Sequence, residues 1–238
     1  MRALFCAAMA IVLLIAPGIV RADLVSNGTF TNYTTGPNGV GNLTNYTTVT
    51  NWSTPANITE GQPNYNFLFI GGGNAASYYP TTSSYVELWG PIASPPAGGN
   101  YLGLDADANY SAAVSQTING LTAGDEYTLT FNWAGAQFAP ASGATTEQLQ
   151  VAFGSQTQLT PVLNNVSQGF TGWEPQSMTF TAGAPSETLS FLAIGTPTGV
   201  SPVALLSDVS LNVPEPSSVA LASLALVAIA KRPRRKTQ

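Results

Sequence analysis

Apolar and polar side chains alternate along much of the chain with the two-residue period of a β-strand. The clearest run is Tyr127–Trp133, in which every second residue is large and apolar, so that four such side chains share one face. No eleven-residue window between the termini has the apolar stripe of an amphipathic helix. The same alternation recurs in four shorter runs, at 149–153, 178–180, 189–191 and 209–211.

Turn-forming residues separate these runs. They occur at Asn119-Gly120, Ala123–Asp125, Gly154-Ser155, Ala182-Gly183 and Gly195–Pro197. Many short strands with Gly and Pro turns predict an all-β fold, an antiparallel β-sandwich of the jelly-roll type, over residues 23–212. We assign Trp52, Trp133 and Trp173 to its core. The segment 27–59 is dense in Asn, Thr and Gly and includes several Asn-x-Ser/Thr patterns, which we interpret as polar surface loops.

The N-terminal segment 1–22 has the features of a secretory signal peptide. Arg2 is followed by an apolar stretch, a Pro-Gly break and small residues at Val20 and Ala22 before Asp23. We predict an N-terminal signal helix that a signal peptidase removes, with a retained membrane helix as the alternative. Cys6 lies in this segment, so the mature chain has no thiol.

The C-terminal segment 213–238 has three parts in a fixed order. Pro214, Glu215 and Pro216 precede an apolar stretch at 219–230, and a basic cluster containing Arg234 and Arg235 follows. Twelve helical residues span about 18 Å, less than the roughly 30 Å of a hydrocarbon core. We therefore predict a short hydrophobic helix with transient membrane association.

This tripartite segment resembles the PEP-CTERM sorting signal of exported bacterial proteins. The resemblance implies processing by an exosortase-type membrane peptidase, followed by release or attachment at the cell surface or in the extracellular matrix. An ordinary tail anchor is the alternative.

The charge distribution excludes several functions. The chain has 238 residues, 7 Lys and Arg, 12 Asp and Glu, no His and one Cys, and only 8% of its residues are charged. All basic residues lie in the two terminal segments, whereas residues 23–212 hold eleven acidic residues and no basic ones. Nucleic-acid binding, which depends on Lys and Arg, is therefore excluded, as are Ser-His, Cys-His and zinc-thiolate chemistries.

A second resemblance covers most of the predicted sandwich. Val25–Phe30, Asn100–Asp105, Val114–Ile118, Leu121–Gly124 and Leu206–Leu211 occur in an order similar to that of the galactose-binding-domain-like jelly rolls. That superfamily includes carbohydrate-binding modules and the DUF642-type surface proteins. The resemblance implies a structural calcium held in part by an Asp of the last strand, here Asp208, although Thr31 stands where related modules often have Glu.

The loop residues Asp105, Asp107 and Asn109 form a separate calcium candidate. Oxygen ligands two residues apart in a tight loop can converge on one hard cation. The loop is not an EF-hand, because Tyr110 occupies the position where Gly is needed. The alternative is a solvated acidic loop, with Asp208 closing a turn.

Five aromatic residues in a Gly/Ser/Pro-rich stretch form a candidate carbohydrate platform, because aromatic faces stack on the apolar faces of sugar rings. They are Tyr65, Tyr78, Tyr79, Tyr85 and Trp89. The alternative is that they cover a sheet face.

The sequence alone is compatible with more than one class of function. We predict a non-catalytic, exported protein that binds extracellular polysaccharide, with a purely structural coat or matrix component as the alternative. A glycosidase needs only two carboxylates, and single acidic residues are present at Glu87, Asp125, Glu147 and Glu174. Nothing in the sequence pairs them, so we expect no enzymatic activity.

Overall fold

The computed structural model describes residues 23–59, 62–73, 75–89 and 92–213. These ranges contain strands and turns and no α-helix, and none of their elements is a helix long and apolar enough to cross a bilayer. The signal helix, the hydrophobic helix and the sorting motif predicted in the terminal segments lie outside the described residues.

Sixteen strands follow one another in the described part of the chain. They are β1 (Tyr33–Thr35), β2 (Thr47–Val49), β3 (Asn57–Thr59), β4 (Gln62–Pro63), β5 (Asn66–Phe69), β6 (Ala76–Tyr79), β7 (Ser84–Glu87), β8 (Tyr101–Asp105), β9 (Val114–Asn119), β10 (Glu126–Gln137), β11 (Thr145–Phe153), β12 (Gln156–Leu159), β13 (Leu163–Asn165), β14 (Glu174–Thr181), β15 (Ser186–Thr196) and β16 (Pro202–Asn212).

Two antiparallel sheets form the body of the domain. Sheet 1 has the order β14-β10-β16-β8-β5, and sheet 2 has the order β12-β11-β15-β9, with β13 also paired to β11. From β8 to β11 and again from β14 to β16, successive strands alternate between the two sheets. The predicted all-β, antiparallel jelly-roll sandwich is confirmed.

The five predicted strands all occur, and each is longer than the alternation indicates. Tyr127–Trp133 lies within β10, and its apolar residues face the space between the sheets. The prediction that a turn begins at Gly195 is wrong, because β15 continues through Thr196 and leaves only Pro197 of the predicted turn outside the strand. Pairing with β11 satisfies the backbone there, since Gly195 lies opposite Glu147 and Thr196 lies opposite Thr146.

Apolar side chains from both sheets fill the space between them. Phe131 of β10 meets Phe191 of β15 edge to face, with ring centroids 5.2 Å apart. Trp52 and Trp133 are buried in this core, as predicted. Trp173 differs, because it is only partly buried and packs on a second apolar cluster outside the sandwich.

This second cluster lies on the outer face of sheet 1, beneath the hairpin formed by β6 and β7. Phe69 and Tyr101 stack nearly parallel on the sheet, with centroids 5.4 Å apart. Tyr79 of the hairpin and Phe138 each pack against Phe67. The hairpin therefore converts one face of the sheet into a second core, which we call the outer core.

The interpretation of the Asn-rich segment 27–59 as polar surface loop is wrong in part, because some of its polar side chains are buried. Asn42 is fully buried, and its side-chain NH₂ donates to Asn64 O at 2.8 Å. Asn66, just beyond the segment, is also fully buried and donates to Ala112 O at 2.8 Å. These amides satisfy backbone carbonyls that strand pairing leaves open, which a short polar side chain can do inside a protein.

Candidate functional site

The structure divides the five predicted aromatic residues into separate groups. Tyr65 and Tyr79 belong to the outer core, with ring centroids 4.9 Å apart. Burial is the main cause that raises the pKa of Tyr65, and the neighbouring Tyr79 raises this pKa further. These two rings cover the face of sheet 1, which is the alternative role considered for them.

Trp89 lies apart from Tyr65 and Tyr79 and also from the other two predicted tyrosines, Tyr78 and Tyr85. Its indole N–H donates to Ala141 O at 2.7 Å, and its backbone N–H donates to Gln137 O at 3.0 Å. The residue thereby fastens the end of the hairpin to the end of β10.

Tyr78 and Tyr85 point away from the outer core and are joined by a third ring. The centroids of Tyr46 and Tyr78 are 4.6 Å apart, and those of Tyr78 and Tyr85 are 5.5 Å apart. Tyr85 is 55% exposed, whereas Tyr46 and Tyr78 are half-buried. We call Tyr46, Tyr78 and Tyr85 the tyrosine cluster. Tyr46 was not a candidate from sequence, because it lies more than thirty residues before Tyr78.

The 36–41 segment holds the tyrosine cluster in place. The backbone N–H of Asn38 donates to the Tyr46 hydroxyl at 2.6 Å, and the Tyr85 hydroxyl donates to Asn38 O at 3.1 Å. A Cβ on Gly36 would come within 2.6 Å of the Tyr46 ring, and one on Gly41 within 2.7 Å. The ring thus lies against bare backbone, which fixes its orientation.

A neutral polar groove opens beside β9. It has a volume of about 620 Å³, and its lining includes Asn51, Ser115, Thr117 and Asn119. Trp52 and Ser53 belong to this groove and also to a neighbouring depression of about 240 Å³. Neither lining contains a charged side chain.

The predicted calcium loop has its carboxylates directed at backbone amides. Asp105 Oδ1 accepts from the N–H of Asp107 at 2.7 Å, and Asp107 Oδ1 accepts from the N–H of Asn109 at 3.0 Å. The other Asp107 oxygen accepts from the N–H of Gly199 at 2.6 Å. Burial is the main cause that raises the pKa of Asp105 to about 7.

Asp208 lies at a different place in the fold. One of its oxygens accepts from the N–H of Ala97 at 3.1 Å and from Asn132 Nδ2 at 2.9 Å. Asp105 pairs with Val203 where β8 and β16 lie side by side. Asp208 lies five residues farther along β16, and at about 3.3 Å per residue it is roughly 17 Å from this pair. The four predicted ligands therefore do not converge on one cation.

No cluster of three or more Asp, Glu, His or Cys side chains suited to a metal ion occurs in residues 23–59, 62–73, 75–89 and 92–213. Calcium stays a prediction at both places.

The four acidic residues considered for a glycosidase occupy different elements. Glu87 ends β7, Glu174 begins β14, and Asp125 precedes β10; all three are exposed. Glu147 is fully buried between the sheets, where burial raises the pKa of its carboxyl to about 7 while the Thr145 side chain, as a hydrogen-bond partner, lowers it.

Taken together, the fold and these surfaces define an acidic antiparallel β-sandwich that presents an aromatic cluster and a neutral polar groove. Within the chain, residues 91–204 match the family described as "Protein of unknown function (DUF642)", and residues 212–236 match the PEP-CTERM protein-sorting motif. These matches confirm the resemblance to the PEP-CTERM sorting signal, and they confirm the resemblance to DUF642-type proteins over a shorter stretch than the sequence motifs suggested. No curated protein matches the chain.

Several solved structures are similar to the chain at low identity. TmCBM61, solved in complex with β-1,4-galactotriose, has a TM-score of 0.42 and 11% identity, covering 81% of this chain and 99% of its own. The K1 cleaved adhesin domain of Lys-gingipain from Porphyromonas gingivalis W83 has a TM-score of 0.40 and 14% identity, covering 69% and 91%. The fold assignment here rests on the strand order and registers described above.

Proposed function

We propose that this protein is an exported, non-catalytic component of the bacterial cell surface or extracellular matrix that binds neutral polysaccharide through the tyrosine cluster. The observation that carries the proposal is the exposed ring of Tyr85 beside Tyr78 and Tyr46, oriented by the backbone at Asn38. Aromatic faces of this kind bury the apolar faces of sugar rings, and neighbouring amides and hydroxyls bind the sugar hydroxyls.

The charge of the domain supports a neutral ligand. Residues 23–212 carry eleven acidic and no basic side chains, so an anionic polysaccharide would be repelled and would find no cation to pair with. A neutral glycan requires only hydrogen bonds and apolar contact. These are the groups that the tyrosine cluster and the polar groove offer.

Export is supported by the PEP-CTERM match at 212–236. In this proposal a signal peptidase removes residues 1–22, and the 219–230 segment associates transiently with the membrane. An exosortase-type peptidase then cleaves near Pro214–Pro216. Mass spectrometry of the mature protein tests this order, because an intact C-terminus that retains Arg234 and Arg235 would favour a tail anchor instead.

Binding is tested on a panel of neutral and anionic polysaccharides by affinity electrophoresis, first in calcium buffer and then with chelator. We expect saturable retention on a neutral polymer and at least about a tenfold weaker affinity for Tyr85→Ala, which is about 1.4 kcal/mol. Tyr85→Phe, which keeps the ring, should retain most of the affinity. The control is Leu159→Ala, since Leu159 is 53% exposed but lies on β12 in the other sheet.

Three results would count against the proposal. Weak, non-saturable retention on whole matrix would favour a structural component without a discrete ligand. If Tyr85→Ala bound polysaccharide as tightly as the unsubstituted protein, the binding site would not include Tyr85. Hydrolysis of a polysaccharide, lost in Glu174→Gln, would make the protein an enzyme.

A further inference from the structure

The polar groove beside β9 and the depression next to it form one concave surface that the tyrosine cluster does not share. Trp52 and Ser53 line both parts, so the two adjoin each other there. The groove alone has a volume of about 620 Å³, which lies within the roughly 300–1,000 Å³ of small-molecule sites. None of the three rings of the tyrosine cluster lines either part. We call the combined surface the Trp52 cleft.

The centre of the Trp52 cleft is held firmly by the sandwich beneath it. The Trp52 ring meets Phe30 edge to face, with centroids 5.3 Å apart, and its indole N–H donates to Asn27 O at 3.2 Å. The N–H of Ser53 donates to Ser115 O at 2.9 Å, and the N–H of Ser115 donates to Ser53 O at 2.8 Å. A ligand that binds here therefore meets a surface that is already ordered, which favours affinity.

Strand β9 presents hydrogen-bonding groups along one side of the groove, because it is an edge strand of sheet 2. Every second residue of an edge strand turns its backbone N–H and C=O to the same side. Ser115 turns both groups towards Ser53, so Thr117 and Asn119 turn theirs the same way, at the groove that they line. Their side chains are exposed and add a hydroxyl and an amide.

The opposite wall of the groove is fixed by Ser26. Gln116 binds both backbone groups of Ser26, because its Oε1 accepts from the Ser26 N–H at 2.7 Å and its Nε2 donates to Ser26 O at 2.8 Å. The exposed Asn51 donates its Nδ2 to Ser26 Oγ at 2.7 Å. The amide oxygen of Asn51 is thereby left to accept a hydrogen bond from a ligand.

The depression supplies an apolar surface next to these polar groups. The buried side chains of Leu43, Val49 and Val114 line it together with Trp52, and the exposed Thr48 lies at its rim. Sugar rings have an apolar face and hydroxyls around their edge, and they bind where an apolar surface adjoins hydrogen-bonding groups. The two halves of the Trp52 cleft offer this combination.

Charge and strand length favour a neutral saccharide over other ligands. Neither half of the Trp52 cleft has a charged side chain in its lining, and residues 23–212 hold eleven acidic and no basic residues, so an anion would find no partner. A peptide strand added to β9 would find only Thr117 and Asn119 to pair with. Ser115 is already paired with Ser53, and β9 ends at Asn119.

We propose that the Trp52 cleft is a second binding site for neutral saccharide, which binds without the tyrosine cluster. The class of ligand rests on the proposed function, whereas the location rests on the geometry of the cleft. Two sites on one domain increase its retention on a polymer, because the second contact follows the first at a high effective concentration.

The test is an NMR titration of the isotope-labelled full chain that follows the tryptophan indole N–H signals. The probes are neutral linear hexasaccharides of glucose, xylose, mannose and galactose. The Trp52 signal is identified by its loss in Trp52→Phe, and Trp133, which is buried in the core, is the internal reference. We expect at least one hexasaccharide to shift the Trp52 signal saturably and to leave the Trp133 signal in place. The same shift should occur in Tyr85→Ala.

Matched variants connect the shift to the groove. Thr117→Val combined with Asn119→Ala removes a hydroxyl and an amide, and the loss of two hydrogen bonds should weaken the affinity read at Trp52 by about five- to 100-fold. Thr179→Val is the control, because Thr179 is an exposed threonine on β14 in the other sheet, and it should leave this affinity unchanged.

Four results would overturn the proposal. They are a Trp52 signal that no hexasaccharide shifts, a shift that Tyr85→Ala abolishes, a Thr117 and Asn119 double variant that binds as tightly as the unsubstituted chain, and a Trp52 signal that a Ser/Thr-rich peptide shifts but no hexasaccharide does. A Trp52 shift in a protein whose retention on polysaccharide is unaffected by Tyr85→Ala would support the Trp52 cleft and count against the tyrosine cluster alone.

Discussion

The buried carboxyl of Asp105 should make the domain less stable as the pH rises from about 4 to about 7. Asp105 is 3% exposed at the end of β8, close to Tyr65 and Asp107, and no base lies in the domain to pair with it. Burial raises its pKa from an ordinary 3.8 to about 7, the Asp107 N–H lowers it, and the Asp107 charge raises it further. Asp105→Asn removes the charge while keeping an oxygen that accepts from the Asp107 N–H.

The sign and size of the effect follow from proton linkage. Between about pH 4 and about pH 7 the folded protein keeps a proton on Asp105 that the unfolded chain releases, so the free energy of unfolding falls with rising pH. Below this window both states are protonated, and above it both are ionised. A change in pKa from 3.8 to about 7 is worth about 4 kcal/mol, at about 1.4 kcal/mol for each tenfold change.

The pH dependence of the free energy of unfolding is measured by urea unfolding with tryptophan fluorescence. The series covers pH 4 to 8.5 with chelator present. We expect Asp105→Asn to equal the unsubstituted protein near pH 4 and to exceed it by up to about 4 kcal/mol at pH 8. Glu147 titrates in the same window but is common to both proteins, so it cancels from the difference. Asp125→Asn, at an exposed turn, should change stability by less than about 0.5 kcal/mol at every pH. A difference between Asp105→Asn and the unsubstituted protein that does not grow with pH would refute the reasoning.

Three further predictions concern the scaffold, each measured by denaturant unfolding. Gly28→Ala should destabilise the domain by more than about 2 kcal/mol, because a Cβ there would lie 1.8 Å from the carbonyl oxygen of Val209; wild-type stability would contradict this close approach. Phe191→Ala should cost about 3–5 kcal/mol, since the ring is fully buried between the sheets, and a loss below 1 kcal/mol would place it outside the core. Gln158→Ala should cost about 0.5–1.5 kcal/mol, because its side chain donates to Thr179 O and ties the edge of sheet 2 to β14; a neutral result would mean that this link does not contribute.

The candidate sites show how far sequence reasoning extends. Tyr78 and Tyr79 are neighbours in the chain, yet they have opposite roles, because adjacent residues of a strand point to opposite faces. Alternation identifies the two faces of β6 but does not say which one the rest of the chain will cover. Here β6 and β7 fold over sheet 1, so Tyr79 is buried in the outer core while Tyr78 remains at the surface.

The sequence also could not show the surroundings of the residues predicted to bind calcium. Spacing alone placed Asp105, Asp107 and Asn109 in one loop, whereas Asp105 is the last residue of β8. It also did not indicate that the two carboxylates accept from backbone amides. In the sequence, Glu147 is only one of four single carboxylates considered for a glycosidase. The sequence does not show that Gly135, twelve residues earlier and on the opposite sheet, leaves room for its buried side chain.

The sequence by itself determined the all-β class, most of the long strands and a sandwich domain with no basic side chain. Each of these follows from local period, from turn residues or from counting. Only the tertiary structure decided that Tyr46 joins Tyr78 and Tyr85, that Asn42 and Asn66 are buried, and that Glu147 is buried between the sheets. The reason is physical: local patterns specify which side chains share a face of one strand, whereas burial and partnership depend on contacts between strands far apart in the chain.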